Sequence, residues 1–478
     1  MQTLEYDTQP ATTEHITATA ITAAVELFFL TEKGMPAHLI DVNPHAGIVQ
    51  FTDITDNLLA RERAEEITLA AREVRGVVNK LLISTPDMPD EELCHHLATS
   101  LLDDPATARY NVQATAADGV VRVTGMVQSW AEKQLVLRVL RGVRGVRGVR
   151  RLETDDLIIQ WGKGQNSDAK ITTQIRELLD WDIRMHSSLV ETRTNDRVHL
   201  SGTISSAAEI AQVIATANQA SAGRVDARDL FVACWALSPK LRGHKYANRN
   251  DEDIAAAVRS AFIYDPRVRS CESTNVVHNG IVKLSGTVSN LRAKHDAEHD
   301  ARDVVGVWDV QNLLKVRTNH FIPNLNVTRS IEQALARDPC VGFFDFSVYV
   351  RNGKASLFGQ VGSHFEQQQA GDVVSGVNGV ADLANWVTVA ASPGFDGFAV
   401  FQPKPNADFA LAERIRARWF WSPSLHNQLI EVLVEKGRAT LTGSVATWLD
   451  REQAAYDAYS AGARYVDNDL VLSTTSGL

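Results

Sequence analysis

An α+β fold, a tandem array of small αββαβ modules, is what the sequence predicts, each module a three-stranded mixed sheet covered on one face by two helices. Three observations predict it. The first is a recurring strand: VVRVTGMV (120–127), RVHLSGTI (197–204), IVKLSGTV (281–288), KASLFGQV (354–361) and RATLTGSV (438–445) each place an apolar residue two before a glycine and another two after it. The glycines are Gly125, Gly202, Gly286, Gly359 and Gly443, spaced at the length of a very small domain, and a fixed period of this kind changes every later reading. The second is that the same order of helical and strand patterns surrounds each copy. The third is length: 478 residues exceed what one hydrophobic core organises.

Taken in order, the first element of a copy is a helix, as in EDIAAAVRSAF, where Ile254, Val258 and Phe262 recur at helical spacing. It ends at Asp104-Pro105, Asp265-Pro266 or Asp338-Pro339, because proline cannot continue a helix. A strand then runs into Asp118-Gly119, Asn279-Gly280 or Asn352-Gly353, dipeptides that tolerate the positive φ of a tight hairpin. In the glycine strand Val282, Leu284, Gly286 and Val288 share one face and Lys283, Ser285 and Thr287 the other, so one side of the sheet is covered. Glycine on the covered side is expected to admit a close helix. That helix follows, with Ala297, Ala301 and Val304 inward, and a Gly-Val turn leads to a last strand parallel to the glycine strand. GIVQFTDIT (47–55) makes a sixth, degenerate copy with Asp53 in place of glycine; a carboxylate there requires that copy to be partly open or placed against something else. The modules are assigned to residues 1–85, 86–162, 163–240, 241–318, 319–393 and 394–478.

The helix ending in Asp-Pro, the Asn-Gly hairpin, the LSGxV strand, the Ala-rich helix and the GVxxVxN turn resemble the BON domain (bacterial osmotically inducible and nodulation domain). IVKLSGTVSN with GVWDVQNLLKV is the most specific pair. The resemblance implies a stress-related bacterial protein without enzymatic activity, one that binds phospholipid surfaces, ligands or other proteins. Two departures stand out: six copies where many relatives have one or two, and no export signal.

With 58 acidic against 48 basic residues the net charge is −10, so binding of a polyanion requires a local patch and duplex nucleic acid is not expected as a partner. Cys94, Cys234, Cys271 and Cys340 are dispersed without a CxxC pair, which suits a reducing compartment and small core residues. The apolar piece at residues 23–30 is short and carries Glu26, so neither a signal peptide nor a transmembrane helix is read, and a cytoplasmic location is expected, with attachment to a membrane surface left open.

Two segments are candidate sites. RGVRGVRGVRR (141–151) occupies the turn before the last strand of the second copy. It reads either as a Gly-Val turn lengthened by repetition of a triplet, with solvated arginines, or as an anionic-surface site in which Arg138, Arg141, Arg144, Arg147, Arg150 and Arg151 grip phosphates. ERIRARWFWSP (413–423) lies in the first helix of the last copy. There Trp419 falls on the core face, while Phe420 and Trp421 with Arg414, Arg416 and Arg418 resemble an interfacial anchor. The competing reading is packing against the previous copy or the linker FQPKPNA.

His295 and His299 match HxxEH, the zinc pattern of some metalloproteases, but a step of about 100° per residue turns both away from the inward Ala297 and Ala301, and no third ligand is identifiable. Cys94-His95-His96 cannot converge on one metal from adjacent helical positions. No phosphate loop, nucleophile elbow or dinucleotide fingerprint is present, and no cofactor is expected. The sequence thus points to a non-catalytic scaffold attaching multivalently to an anionic phospholipid or a protein surface, with a soluble ion or small-ligand sensor, a homo-oligomeric structural protein and an HxxEH metalloenzyme as alternatives.

Overall fold

Each copy of the glycine strand forms the centre of its own sheet, giving six sheets in the computed structural model. The structure describes residues 18–31, 40–45, 47–55, 57–84, 88–117, 120–146, 148–149, 157–160, 167–185, 190–195, 197–220, 225–233, 249–269, 272–317, 322–390 and 407–473. The first module comprises α1 (Ala18–Thr31), β1 (Ile40–His45), β2 (Ile48–Thr55), α2 (Leu58–Leu69), β3 (Gly76–Asn79) and β4 (Leu82–Ile83). The second has α3 (Asp90–Asp103), β5 (Asn111–Ala117), β6 (Val120–Val127), α4 (Trp130–Arg141), β7 (Gly148–Val149) and β8 (Leu157–Ile159). The third has α5 (Asp168–Trp181), β9 (Val190–Asn195), β10 (Arg197–Ile204), α6 (Ala207–Ala220) and β11 (Val225–Val232). The fourth contains α7 (Asp251–Tyr264), β12 (Glu272–His278), β13 (Ile281–Val288), α8 (Leu291–Arg302), β14 (Asp309–Asn312) and β15 (Lys315–Val316). The fifth has α9 (Asn324–Arg337), β16 (Phe346–Arg351), β17 (Lys354–Val361), α10 (His364–Gly376) and β18 (Asp382–Val389). The sixth closes with α11 (Ala407–Trp421), β19 (Leu429–Glu435), β20 (Arg438–Val445), α12 (Trp448–Ser460), β21 (Tyr465–Asn468) and β22 (Val471–Leu472).

The αββαβ order is therefore realised six times, the degenerate first copy included. In every sheet the glycine strand is central, antiparallel to the strand before it and parallel to the strand after α2, α4, α6, α8, α10 or α12. One detail differs from expectation: in the first, second, fourth and sixth modules the last strand is broken in two, both pieces pairing with the glycine strand. In the first, fourth and sixth an asparagine governs the break. Asn79, Asn312 and Asn468 donate from Nδ2 to the carbonyls of Arg61, Lys294 and Arg451 (3.0, 2.8 and 2.9 Å), while their Oδ1 accepts from the backbone two residues on. The side chain thereby ties the last strand to the second helix.

The local chemistry repeats as faithfully. Asp104, Asp265 and Asp338 do more than precede a proline: each Oδ1 accepts backbone N–H groups just past it, closing an Asx turn that ends the helix. Asn279-Gly280, Asn352-Gly353 and Lys436-Gly437 hold positive φ at both positions, the geometry of a type I′ hairpin. Asp118-Gly119 lies outside the described residues. The second helices start at Ser129, Asn290, Ser363 and Thr447, whose side chains accept from the N–H three residues on.

The glycine of the central strand has another cause than the helix approach expected of it. Gly125, Gly202, Gly286 and Gly443 have φ between 119 and 133°, and a Cβ on Gly125 or Gly443 would run into the carbonyl oxygen of Asn111 or Leu429 on the antiparallel neighbour. The constraint comes from the adjacent strand, not from the helix. Asp53 adopts the same conformation, φ 103°, and its side chain is exposed, which resolves the expectation for the first copy in favour of an open position. An L-residue held there stores about 1–2 kcal/mol. Replacing Asp53 with glycine is expected to raise unfolding free energy by about 1 kcal/mol in guanidinium denaturation, whereas Gly443→Ala lowers it.

Candidate binding surfaces

The glycine-strand sheets bury alternate residues against their own helices, and the modules then meet through those helices. The principal contacts between different modules are α1 with α11, α2 with α6, α4 with α6, α8 with α10, and α10 with α12. Neighbours in space need not be neighbours in sequence: the first module packs on the sixth.

The arginine-rich turn takes part in these seams. Arg141 Nε lies 3.2 Å from Glu62 Oε1 of the first module. Arg144 donates its N–H to the carbonyl of Arg337 (2.8 Å), and its guanidinium sits 4.2 Å from the centre of the Phe343 ring in the fifth module. Arg337 in return binds Asp103 at 2.6 Å. Arg138 is accessible to solvent, but it lines a cavity between the second, third and fourth modules. Arg147, Arg150 and Arg151 lie outside the described residues. The structure therefore does not gather Arg138, Arg141 and Arg144 on one open face: Arg141, the last residue of α4, and Arg144, in the turn after it, are engaged by other modules. A further seam, between the second and fourth modules, holds Arg267 against Asp104 (2.7 Å) and Arg269 against the buried Glu132.

The aromatic segment of α11 is divided: Trp419 is buried, Trp421 half-buried and Phe420 exposed. Trp419, 5% exposed, belongs to the core of the sixth module, as expected. Arg418 is also buried, paired with the buried Asp457 at 3.2 Å and lying over Phe28 of the first module. Trp421 packs on the core of the first module and its carbonyl accepts from Arg72 N–H (2.9 Å), while Arg72 faces the Phe420 ring. Trp421 and Arg418 thus meet the first module rather than the previous copy, while Phe420 remains 44% exposed. Arg414 donates to the Ala461 carbonyl within its own module, and Arg416 pairs with Glu413 at the surface. His295 and His299 are exposed on α8, and among the described residues no three His, Cys, Asp or Glu side chains are grouped to hold a metal ion. Cys94 and Cys340 are half-buried free thiols, the latter pushed up to about 12 by burial; Cys234 and Cys271 lie outside the described residues.

With the helices engaged between modules, the other face of each sheet is left open, and it carries apolar side chains that the strand alternation turns outward. Leu82, Met126, Phe231, Val276, Trp386 and Leu433, one from each module, are all exposed. The fifth module is the richest. Phe358 of β17 is in register with Trp386 of β18 and Ser347 of β16, and Tyr349 follows two residues along, with Tyr349 64% and Trp386 62% exposed. This aromatic face escapes a motif search. Its signal is the alternation in SVYVR and KASLFGQV, which places rings at positions where IVKLSGTV has polar residues.

Six repeated sheets, helical seams and open apolar faces define a class by architecture: a tandem array of small α+β modules. The sequence profile of the BON domain matches residues 89–152, 167–226, 250–318, 324–391 and 407–474, and the chain belongs to that family. The first module, outside those matches, shares the element order. The osmotically-inducible protein Y of Escherichia coli is 29% identical over 28% of this chain and 71% of its own length. The outer membrane lipoprotein DolP of Haemophilus influenzae is 28% identical over 30% of this chain and 76% of its own. Domains of CdsD, a structural protein of the type III secretion system of Chlamydia trachomatis, align with 48% of the chain at 15% identity and a TM-score of 0.13, and cover 94% or more of their own length. Among the described residues no helix is long and apolar enough to cross a membrane.

Breaking the buried Arg418–Asp457 pair by Asp457→Ala leaves an uncompensated charge and is expected to cost about 3–5 kcal/mol. The double variant Arg418→Met, Asp457→Leu should recover most of that loss in thermal or denaturant unfolding.

Proposed function

We propose that the chain is a non-catalytic scaffold that attaches multivalently, through the outward faces of its sheets, to a protein surface. The observation that carries this reading is the division of labour between the two faces of each module: helices join module to module, and sheets carry exposed apolar side chains outward in all six. Open three-stranded sheets also leave edge strands free to pair, and aromatic side chains such as Tyr349, Phe358 and Trp386 supply contact area at low entropic cost. Several weak contacts held on one body sum to strong attachment. Membership of the BON family, with a relative named for osmotic induction, supports a stress-related, non-enzymatic role.

A phospholipid surface is the second reading, favoured by the relative that is an outer membrane lipoprotein. Engagement of Arg141 and Arg144 inside the chain weighs against the arginine run as its anchor. The two readings separate in one comparison. A photo-crosslinking side chain in place of Trp386 or Phe231 is expected to give adducts with another protein in cells, while the same group at Tyr456, in the seam, gives only intramolecular ones. Adducts confined to the chain itself, together with salt-sensitive co-sedimentation with anionic vesicles, would overturn the protein reading in favour of the lipid one.

A further inference from the structure

Between the second, third and fourth modules lies a cavity of about 1080 Å³, walled by α4, α5, α6, α7 and α8 and separate from the outward sheet faces. A void of that size suits an organic molecule and far exceeds a single ion. Its lining carries a surplus of negative charge. Asp265 and Asp296 stand beside Arg267 at the C-terminal end of α7, Asp182, Asp303 and Asp253 lie towards its N-terminal end, and Asp300 and Glu177 fall between. Against them are Arg138, Lys170, Arg184 and Arg267. Two of these are committed, Arg184 to Asp182 and Asp303 (2.7 and 3.1 Å) and Arg267 to Asp104 and Asp296 (2.7 and 3.4 Å).

Asp300 is the telling residue. It lines the cavity, its Oδ2 is buried, and that oxygen has no hydrogen-bond partner among the described residues. Burial, reinforced by Asp265, Asp303 and Asp296, holds its carboxyl well above the ordinary range, with Arg184 the opposing cation; burial raises Asp265 and Asp303 as well. A buried carboxyl without a partner is costly unless something else supplies one. Trp130, Trp181 and Tyr264 also line the space, and Trp181 already carries the Arg249 guanidinium 4.8 Å from its ring, so this wall accepts cations.

The cavity is elongated along α7. Asp253 near its N-terminus and Asp265 at its C-terminus both line it, about 18 Å apart along the axis at 1.5 Å rise per residue. Carboxylates at both ends of a partly aromatic trough match a chain-like cation better than a compact one. We propose that this cavity binds a linear aliphatic polyamine, whose ammonium groups meet Asp265 and Asp296 at one end, Asp300 midway, and Asp303 and Asp253 at the other.

Ammonium groups set against Asp300 favour its ionised form, so binding is coupled to proton release and affinity falls as pH is lowered. Without ligand the sign is opposite for stability. A carboxyl whose folded value is raised contributes stability below the ordinary carboxylate range and loses it as pH rises through the raised value. The unliganded chain is therefore expected to lose more thermal stability than Asp300→Asn as pH rises above the ordinary carboxylate range, read by melting temperature.

The deciding experiment is calorimetric titration of the full chain with spermidine at moderate ionic strength. Saturable one-to-one binding is expected, with a heat that changes with the ionisation enthalpy of the buffer. Asp300→Asn is expected to weaken it at least tenfold without lowering the melting temperature, and Ala256→Trp, which fills the cavity from the exposed side of α7, to abolish it. Should Asp300→Asn not fold, Ala256→Trp decides alone. Absence of saturable heat, affinity unchanged in the folded variants, or displacement by an equal concentration of magnesium would overturn the proposal, the last by showing only screening of a net negative surface.

Discussion

A three-stranded sheet with two helices on one side is too small to cover all of its apolar surface by itself. Units of this size are marginal when isolated, because surface grows relative to volume as a domain shrinks. The rest of this structure follows from that constraint. The inner faces of the helices bury Val258, Ala297 and Ala301, or Ile415, Ala454 and Ala458, against their own sheet. Part of the remaining helix surface is covered by helices of other modules, and the outer faces of the sheets stay open to the outside. Charge is placed in the seams where it can be matched: Arg267 with Asp104, Arg337 with Asp103, Arg418 with Asp457.

How much of this the sequence declares depends on the range of the interaction concerned. Alternation in IVKLSGTV, the Asn-Gly turns and the helical spacing of Ile254, Val258 and Phe262 are local, and they specify the module down to which residues face the core. The glycine was harder to interpret. A pattern shows that a side chain is missing without saying whether a helix, a strand or a dihedral forbids it, and Asp53, a residue type tolerant of positive φ, was the one clue that the backbone was responsible. The clamp formed by Asp251 and Asp408, whose carboxylates accept N–H groups from the hairpins Asn279-Gly280 and Lys436-Gly437, links residues 28 or 29 positions apart and leaves no local signature.

The candidate sites divide along the same line. RGVRGVRGVRR and ERIRARWFWSP are recognisable as unusual because their composition departs from the corresponding segments of other copies. Their partners are invisible in the sequence, since Glu62, Phe343 and Phe28 belong to other modules and carry no mark of the contact. A segment made for docking within a chain has the same composition as one made for docking on a membrane: arginine and aromatic rings serve both. Only the tertiary arrangement distinguishes them.

The contact of Trp421 with the core of the first module has a bearing on biogenesis. Ile21, Val25 and Phe28 are made long before the helix that covers them, which lies about 390 residues further along. During synthesis the first of these six modules is completed only once the sixth is made. Until then its apolar helix is open to chaperones, and truncated chains that lack the sixth module would carry that exposed surface permanently. The contact thus ties an early-made segment to a late-made one, and its absence leaves a surface that quality-control machinery can read.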